Sequence, residues 1–542
     1  MRIKLAFFIA LSAFSTHAFA QTTRPVWPAP PQVTVGANLK ELVFDWEPVP
    51  GAVVYRLLQK TTANPREYFA PITDRLRKTR AAIPISVHQQ LWNTTRYVVL
   101  ACNLAGCTRS DEVFPRDLML ETIGYFKASN TAANDGFGRQ VAASADGSTI
   151  AVSAEGEDSN ATGVGGDQGN NSAANSGAVY VFRRNGRAWS QEAYLKPPDV
   201  QAGARFGAGS PYRLRTLELS ANGSRLLIGA PLSAVSGLAN AGRAYLFERN
   251  SASQWSIGLE LHAPVPAAND YFGYSVDLTL DGETLRVNSL LPIEQDSGDP
   301  EGRTHLWTHS GSTWTYQLAP HYPGDLCRSS RLSADGRTLV SYCVNTAEDI
   351  GRVRTLKRQP DNSWTFAPEI MMPWIPGAPE IAITSSGSWL AVSEGSIGMY
   401  RWEGSVWVLD AHILPWTVSD GPGAGGWAEA LEFSKDGEFL AIGDPSARIF
   451  GAGVSDPTIG TERHGAVLIY KRQPGGIPGW YSFKTVKATN PGIDDAFGTS
   501  VAFSGSGWYL AIGAPQEDGA ARGIDGDQTS EAATDSGAVY LY

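Results

Sequence analysis

The stretch DGFGRQVAASADGSTIAVSAEGEDSNATGVGGDQGNNSAANSGAVYVF at residues 135–182 returns as DAFGTSVAFSGSGWYLAIGAPQEDGAARGIDGDQTSEAATDSGAVYLY at residues 495–542. The copies align without a gap at an offset of 360, with 22 identities in 48 positions. Both read Asp-x-Phe-Gly, Val-Ala-x-Ser, a Gly turn, an apolar run, Glu-Asp, Gly-Asp-Gln and Ser-Gly-Ala-Val-Tyr. Looser copies fill the interval. Their hairpin turns are Asp146-Gly147, Asn222-Gly223, Asp281-Gly282, Asp335-Gly336, Ser386-Gly387, Asp436-Gly437 and Ser506-Gly507, at spacings of 50 to 76 residues. Asn-Gly and Asp-Gly favour the left-handed turns that match strand twist, so each turn marks an antiparallel pair. A fixed pattern met seven times means seven units.

Each unit then offers a third strand, such as residues 178–182, 244–247 and 466–470. A fourth follows a recurring tryptophan: Trp189, Trp255, Trp314, Trp364, Trp407 and Trp480. Four strands per unit, repeated radially, is a β-propeller. The last unit ends at Tyr542 after its third strand, and Lys127-Ala128-Ser129-Asn130 matches Lys487-Ala488-Thr489-Asn490 at the same offset. An N-terminal strand is therefore expected to complete the final unit. Such closure removes two exposed sheet edges. The expected fold is all-β: a seven-bladed propeller over 124–542, closed by an N-terminal strand.

Ahead of it, residues 1–20 read as a secretory signal: Arg2 and Lys4, an apolar core, then Ala18-Phe19-Ala20. The proline-rich residues 21–32 read as a linker. Residues 33–118 carry the alternating runs 42–46, 54–57 and 96–103 of a β-sandwich. Trp46, Gly51-Ala52-x-x-Tyr55 and Tyr97-x-Val99-x-Ala101-x-Asn103 make this segment resemble a fibronectin type III domain. Four cysteines in an exported chain suggest two disulfides, and the local pairings are Cys102–Cys107 and Cys327–Cys343. No run is long and apolar enough to span a bilayer. A net charge of −10 argues against sequence-independent nucleic-acid binding. The chain is expected to be exported, secreted or periplasmic, and monomeric.

The motifs Phe137-Gly138, Phe206-Gly207, Phe272-Gly273 and Phe497-Gly498, with Gly229-Ala230-Pro231 and Gly513-Ala514-Pro515, are similar to the FG-GAP repeat of integrin α-subunit propellers. Gly443-Asp444-Pro445 is a variant, while units four and five depart, with Leu326-Cys327 in place of Phe-Gly. The Phe and Gly residues themselves read as scaffold. The resemblance implies an adhesion-type binding protein and, in some blades, Ca²⁺ in an Asp-x-Asp-x-Asp-Gly loop. No such loop occurs here. Instead, two long loops between second and third strands carry Glu157, Asp158, Asp167 and Gln168, and Glu517, Asp518, Asp525, Asp527 and Gln528. Antiparallel connectivity puts them on one face with Asp135 and Asp495. Two readings follow: Asp158, Asp167, Asp518, Asp525 and Asp527 as oxygen ligands for Ca²⁺, or acidic turn caps left in solvent.

No Gly-x-Ser-x-Gly elbow, His-Glu-x-x-His or phosphate loop is present. The pair His305 and His309 reads as surface, and the tryptophans as outer-strand packing. The leading expectation is a non-enzymatic binding protein. Its partner would be an extracellular protein or polysaccharide, met by the long loops of units six, seven and one (446–464 in unit six). The alternative is an enzyme, a lyase or hydrolase of extracellular polymers, working at the channel mouth.

Overall fold

The computed structural model describes residues 26–62, 67–208, 214–290, 302–319, 326–345, 350–373, 379–415, 427–454, 458–474 and 479–542. The signal-like segment 1–20 lies outside them. The chain divides into two compact units, one made of residues 1–36, 43–83 and 91–116, and one holding 37–42, 84–90 and everything from 117 onward.

In the first unit, the strands Val54–Lys60, Ala70–Pro71, Arg96–Cys102 and Cys107–Arg109 form one antiparallel sheet. In residues 96–102 all but Arg96 and Leu100 are buried. Tyr97 packs 4.9 Å from Phe44, and Trp46 packs 5.4 Å from Tyr55. The Cys102–Cys107 bridge ties the strand pair that meets at this turn.

The second unit is all-β and built from antiparallel sheets in the manner of a β-propeller. Among the described residues, seven sheets of four or five strands follow one another. Sheet one, for example, holds Phe137–Ala143, Thr149–Ala154, Ala178–Asn185 and Ala188–Leu195. The first strands contact one another in sequence: Phe137–Ala143, Leu217–Leu219, Ser275–Leu278, Leu326–Leu332, Ile381–Ile383, Ala430–Phe433 and Ser500–Phe503. The last then contacts the first. The last sheet is completed from the other end of the chain. Gly124–Phe126 pairs antiparallel with Ala538–Leu541, in the register Val539 to Phe126, Tyr540 to Tyr125 and Leu541 to Gly124.

Local chemistry explains the repeated hairpin. At Gly147 φ is +65°, and Asp146 Oδ1 accepts from Ser144 Oγ at 2.6 Å and from the Ser148 N–H at 2.9 Å. Ser144 Oγ in turn accepts the Thr149 N–H at 3.0 Å. The same bonds recur around Asn222, Asp281, Asp335 and Asp436. Short polar side chains thus close the turn that the Gly permits.

The Phe-Gly and Gly-Ala motifs are the clasps between sheets. A Cβ on Gly138 (φ +97°) would lie 2.4 Å from the Ala538 carbonyl oxygen, and one on Gly513 would lie 2.0 Å from the Gly138 oxygen. Gly229 and Gly443 face Gly273 and Gly498 at the same 2.0 Å. Phe137 donates its N–H to the Ser536 carbonyl at 3.0 Å and packs edge-on to Tyr180. The six recurring tryptophans all lie in fourth strands, buried or half-buried.

Sheet four lacks the clasp motifs. There the Cys327–Cys343 disulfide joins the first two strands, whose register places the two cysteines opposite each other. Replacing both cysteines by Ala is expected to cost about 3 kcal/mol by loop entropy, against about 2 for Cys102 and Cys107, whose loop is shorter. Denaturant midpoints of the two double variants would check the order.

Candidate functional site

The acidic loops were the sequence's candidates, and the structure spends them on the scaffold. Glu157 is buried, and its carboxylate accepts from Lys196 Nζ at 2.8 Å, Tyr194 Oη at 2.7 Å and the Ser159 N–H at 3.2 Å. Lys196 Nζ also reaches Ser176 Oγ at 2.7 Å. The last sheet repeats this cage. Glu517 meets Lys127 Nζ at 2.7 Å, Tyr125 Oη at 2.8 Å and the Gly519 N–H at 3.0 Å, and Lys127 meets Ser536 Oγ at 2.7 Å. The residue just after the borrowed strand thus supplies the cation.

The five proposed ligands serve as local acceptors. Asp158 Oδ1 takes the Asn175 N–H at 2.7 Å, and Asp518 Oδ1 the Asp535 N–H at 2.8 Å. Asp167 accepts from Gly169, Asp527 from Thr529, and Asp525 from Tyr125. Among the described residues, no group of three or more His, Cys, Asp or Glu side chains is placed to hold a metal ion. His305 is buried between Ser289 and Tyr316, and His309 pairs with Glu283 at 2.5 Å. The surface reading does not hold for His305, which is buried and packs edge-on to the scaffold residue Phe272.

Asp135 and Asp495 also belong to the scaffold. Each is buried and accepts a backbone N–H, from Ala132 at 2.9 Å and Gly492 at 2.8 Å respectively. Burial pushes both carboxyl groups up to about 7, with the backbone bonds opposing it. A folded-state value above the unfolded one means stabilisation that is present below about pH 4 and lost as pH rises through 7. Asp135→Asn keeps the acceptor for Ala132 and removes the charge. It should raise stability by about 1–3 kcal/mol at pH 8 and leave it unchanged at pH 4. Thermal melts at the two pH values would check this.

The concave feature of this face is a cavity of about 700 Å³. Its lining comes from the ends of second strands and the starts of first and third strands in sheets six, seven and one, with Arg205 from the loop entering sheet two. The cavity lies among units six, seven and one, the units with the long loops. Two sides of the cavity are the two long copies. Copy one supplies Asn134, Gly136, Arg139, Glu155, Gly156 and Asn175. Copy two supplies Asp494, Ala496, Thr499, Pro515, Gln516 and Asp535. These are the same six positions at the offset of 360, and the residues differ at every one. Their immediate neighbours, Asp135, Phe137, Glu157 and Ser176, are identical in the second copy. These four positions are kept while the six cavity positions diverge.

At the centre of the copy-one wall, Glu155 stands between two guanidinium groups. Its oxygens lie 3.5 Å from Arg139 Nε and 3.4 Å from Arg205 Nη1. The fold does not need these side chains. Copy two builds the same turn with Thr499 and Pro515, keeping the bond from residue 516 N–H to the Asp495 carbonyl that Gly156 makes to Asp135. Arg205 occupies the left-handed residue before Phe-Gly (φ +48°), where Gly136, Tyr271 and Ala496 serve elsewhere. Glu429, Arg463 and Ser446 face the cavity from sheet six.

Further along the first strands a buried ion network fills the axis. Arg215 meets Glu218 at 2.9 Å and also Glu432, Arg331 meets Asp277 at 2.9 Å, and Lys435 meets Glu432 at 3.1 Å. Glu432 follows the cavity residue Glu429 by three positions.

No family model matches the chain, and no curated protein matches it. Similar solved structures include the periplasmic gluconolactonase of Pseudomonas aeruginosa, at 12% identity and TM-score 0.41, covering 81% of this chain and 97% of that one. Another is a candidate 6-phosphogluconolactonase of Bacteroides uniformis, at 10% identity and TM-score 0.40, covering 81% and 98%. A protein from Lactobacillus plantarum gives 11%, 0.40, 81% and 98%. At that level no residue's role is carried over. These findings correct the resemblance to the FG-GAP repeat and the integrin-type propeller. The Phe-Gly and Gly-Ala-Pro motifs report close packing between sheets, a need that does not depend on ancestry. The expectation of a non-enzymatic adhesion protein leaned on that resemblance and falls with it.

Proposed function

We propose that the chain is an exported enzyme, a hydrolase or lyase of extracellular carbohydrate, whose reaction takes place in the cavity shared by the two long copies. The scaffold is read as a seven-bladed propeller preceded by a fibronectin type III-like sandwich. One observation carries the proposal: a carboxylate held between two arginines in a polar cavity, at positions where the duplicate scaffold does without all three. A carboxylate at Glu155 can take or give a proton, and guanidinium groups beside it can stabilise negative charge as it develops.

Turnover of a panel of polysaccharides, sugar lactones and esters by the full chain tests the reading. Activity that Glu155→Gln removes is the expected result, and no turnover on any of them would overturn it. The two disulfides support an oxidising compartment, the periplasm or outside the cell. A monomer is the proposed state. The calcium expectation has a separate test. With each of the five acids already accepting a backbone N–H, melts in calcium and in EDTA should coincide. A shift of several degrees would instead mark a cation bound to the folded state.

A further inference from the structure

We infer that the cavity selects an acidic saccharide, an oligouronate, whose carboxylate docks on Arg139 and Arg205 in place of Glu155. The inference rests on the reading above that the cavity is the active site. Charge-assisted pairs between guanidinium and carboxylate close to about 2.7–2.9 Å, whereas Glu155 stands 3.5 and 3.4 Å from its two partners. One carboxylate is shared between two cations and held tightly by neither. An incoming carboxylate can bind them in the parallel, bidentate geometry that guanidinium favours. Glu155 is then released beside the bound sugar, free to exchange a proton with it. Among the described residues none that lines the cavity is aromatic, so they offer recognition by charge and hydrogen bonds. Other polar side chains lining the cavity include Asn134 and Asn175 on the same wall and Glu429, Arg463, Asp494 and Asp535 from sheets six and seven.

The test compares oligogalacturonate with its methyl ester, which removes the charge and keeps the sugar, by titration calorimetry on the full chain. The acid form should bind roughly 10–100-fold more tightly. Arg139→Thr and Arg205→Gly take the residues the other copies use at those positions, so both should melt as the parent does. Each should reduce acid-form affinity to that of the ester. Equal binding of acid and ester, binding of neither, or an Arg139→Thr variant that binds the acid like the parent would overturn the inference. Turnover confined to neutral polymers would sink it and leave the enzymatic reading standing. Charge-dependent binding with no turnover of any substrate would do the reverse.

Discussion

Lys127→Met should lower the unfolding free energy by about 3–5 kcal/mol, because it leaves a buried carboxylate without its cation. Lys127 Nζ is fully buried and sits 2.7 Å from Glu517, a residue 390 positions away. Burial pulls the ammonium group down, and Glu517 opposes that by holding it charged. The informative comparison is Lys196→Met in sheet one, where the same cage forms within one sheet: Lys196 to Glu157 at 2.8 Å. If the N-terminal strand closes the last sheet in solution, the two variants should cost the same within experimental error. If it does not, Lys127 is exposed, and its replacement should fall within about 0.5 kcal/mol of neutral while Lys196→Met keeps its full cost. The double variant Lys127→Met with Glu517→Gln should recover most of the loss, since a buried pair removed as a pair is far less harmful than one broken. Urea unfolding of the three proteins measures all of this.

Glu155→Gln is expected to reduce kcat by about 10²–10⁴-fold, the span that general acid–base residues supply, with the melting temperature unchanged. The reason for the unchanged melt is internal to the molecule. Pro515 holds the equivalent place in the other copy without loss of the turn. Arg139→Thr, copying Thr499, should act chiefly on KM, because the arginine is assigned to binding. A fall in stability that parallels the fall in rate for Glu155→Gln would count against a chemical role and assign the residue to the scaffold. Steady-state kinetics beside thermal melts separate the two.

Much of the architecture was written locally. The Asp-Gly turns and the apolar runs follow from a pattern that repeats along the chain, and the match at residues 127–130 pointed to a closing strand that lies just ahead of it, at Gly124–Phe126. Each sheet is made of neighbours in sequence except the last, and there the offset of 360 announced the exception. Both disulfides were legible for the same reason, since each joins partners that a short turn brings opposite. The acidic loops allowed two readings, cation ligands or turn caps, and each of their five aspartates accepts a backbone N–H. Glu157 and Glu517 pair with buried lysines that stand one residue past a strand, Lys196 after Ala188–Leu195 and Lys127 after Gly124–Phe126, a pairing that no local spacing reveals.

The cavity was hidden by the very comparison that exposed the fold. Aligning the copies rewards identity, and the identical positions, Phe137, Gly138 and Glu157 among them, are where sheets must interlock. The functional candidates Arg139, Glu155 and Arg205 lie where the copies disagree, and disagreement in a repeat looks like drift until coordinates gather it in one place. From the chain alone one could therefore derive the strands, the turns, the closure and the bridges, because these depend on contacts between near neighbours or between repeats of one pattern. Which unmatched residues share a cavity depended on the curvature of the ring, which brings residues 134–139 and 494–499 to one mouth. Curvature is a property of how sheets pack, and no single stretch of sequence contains it.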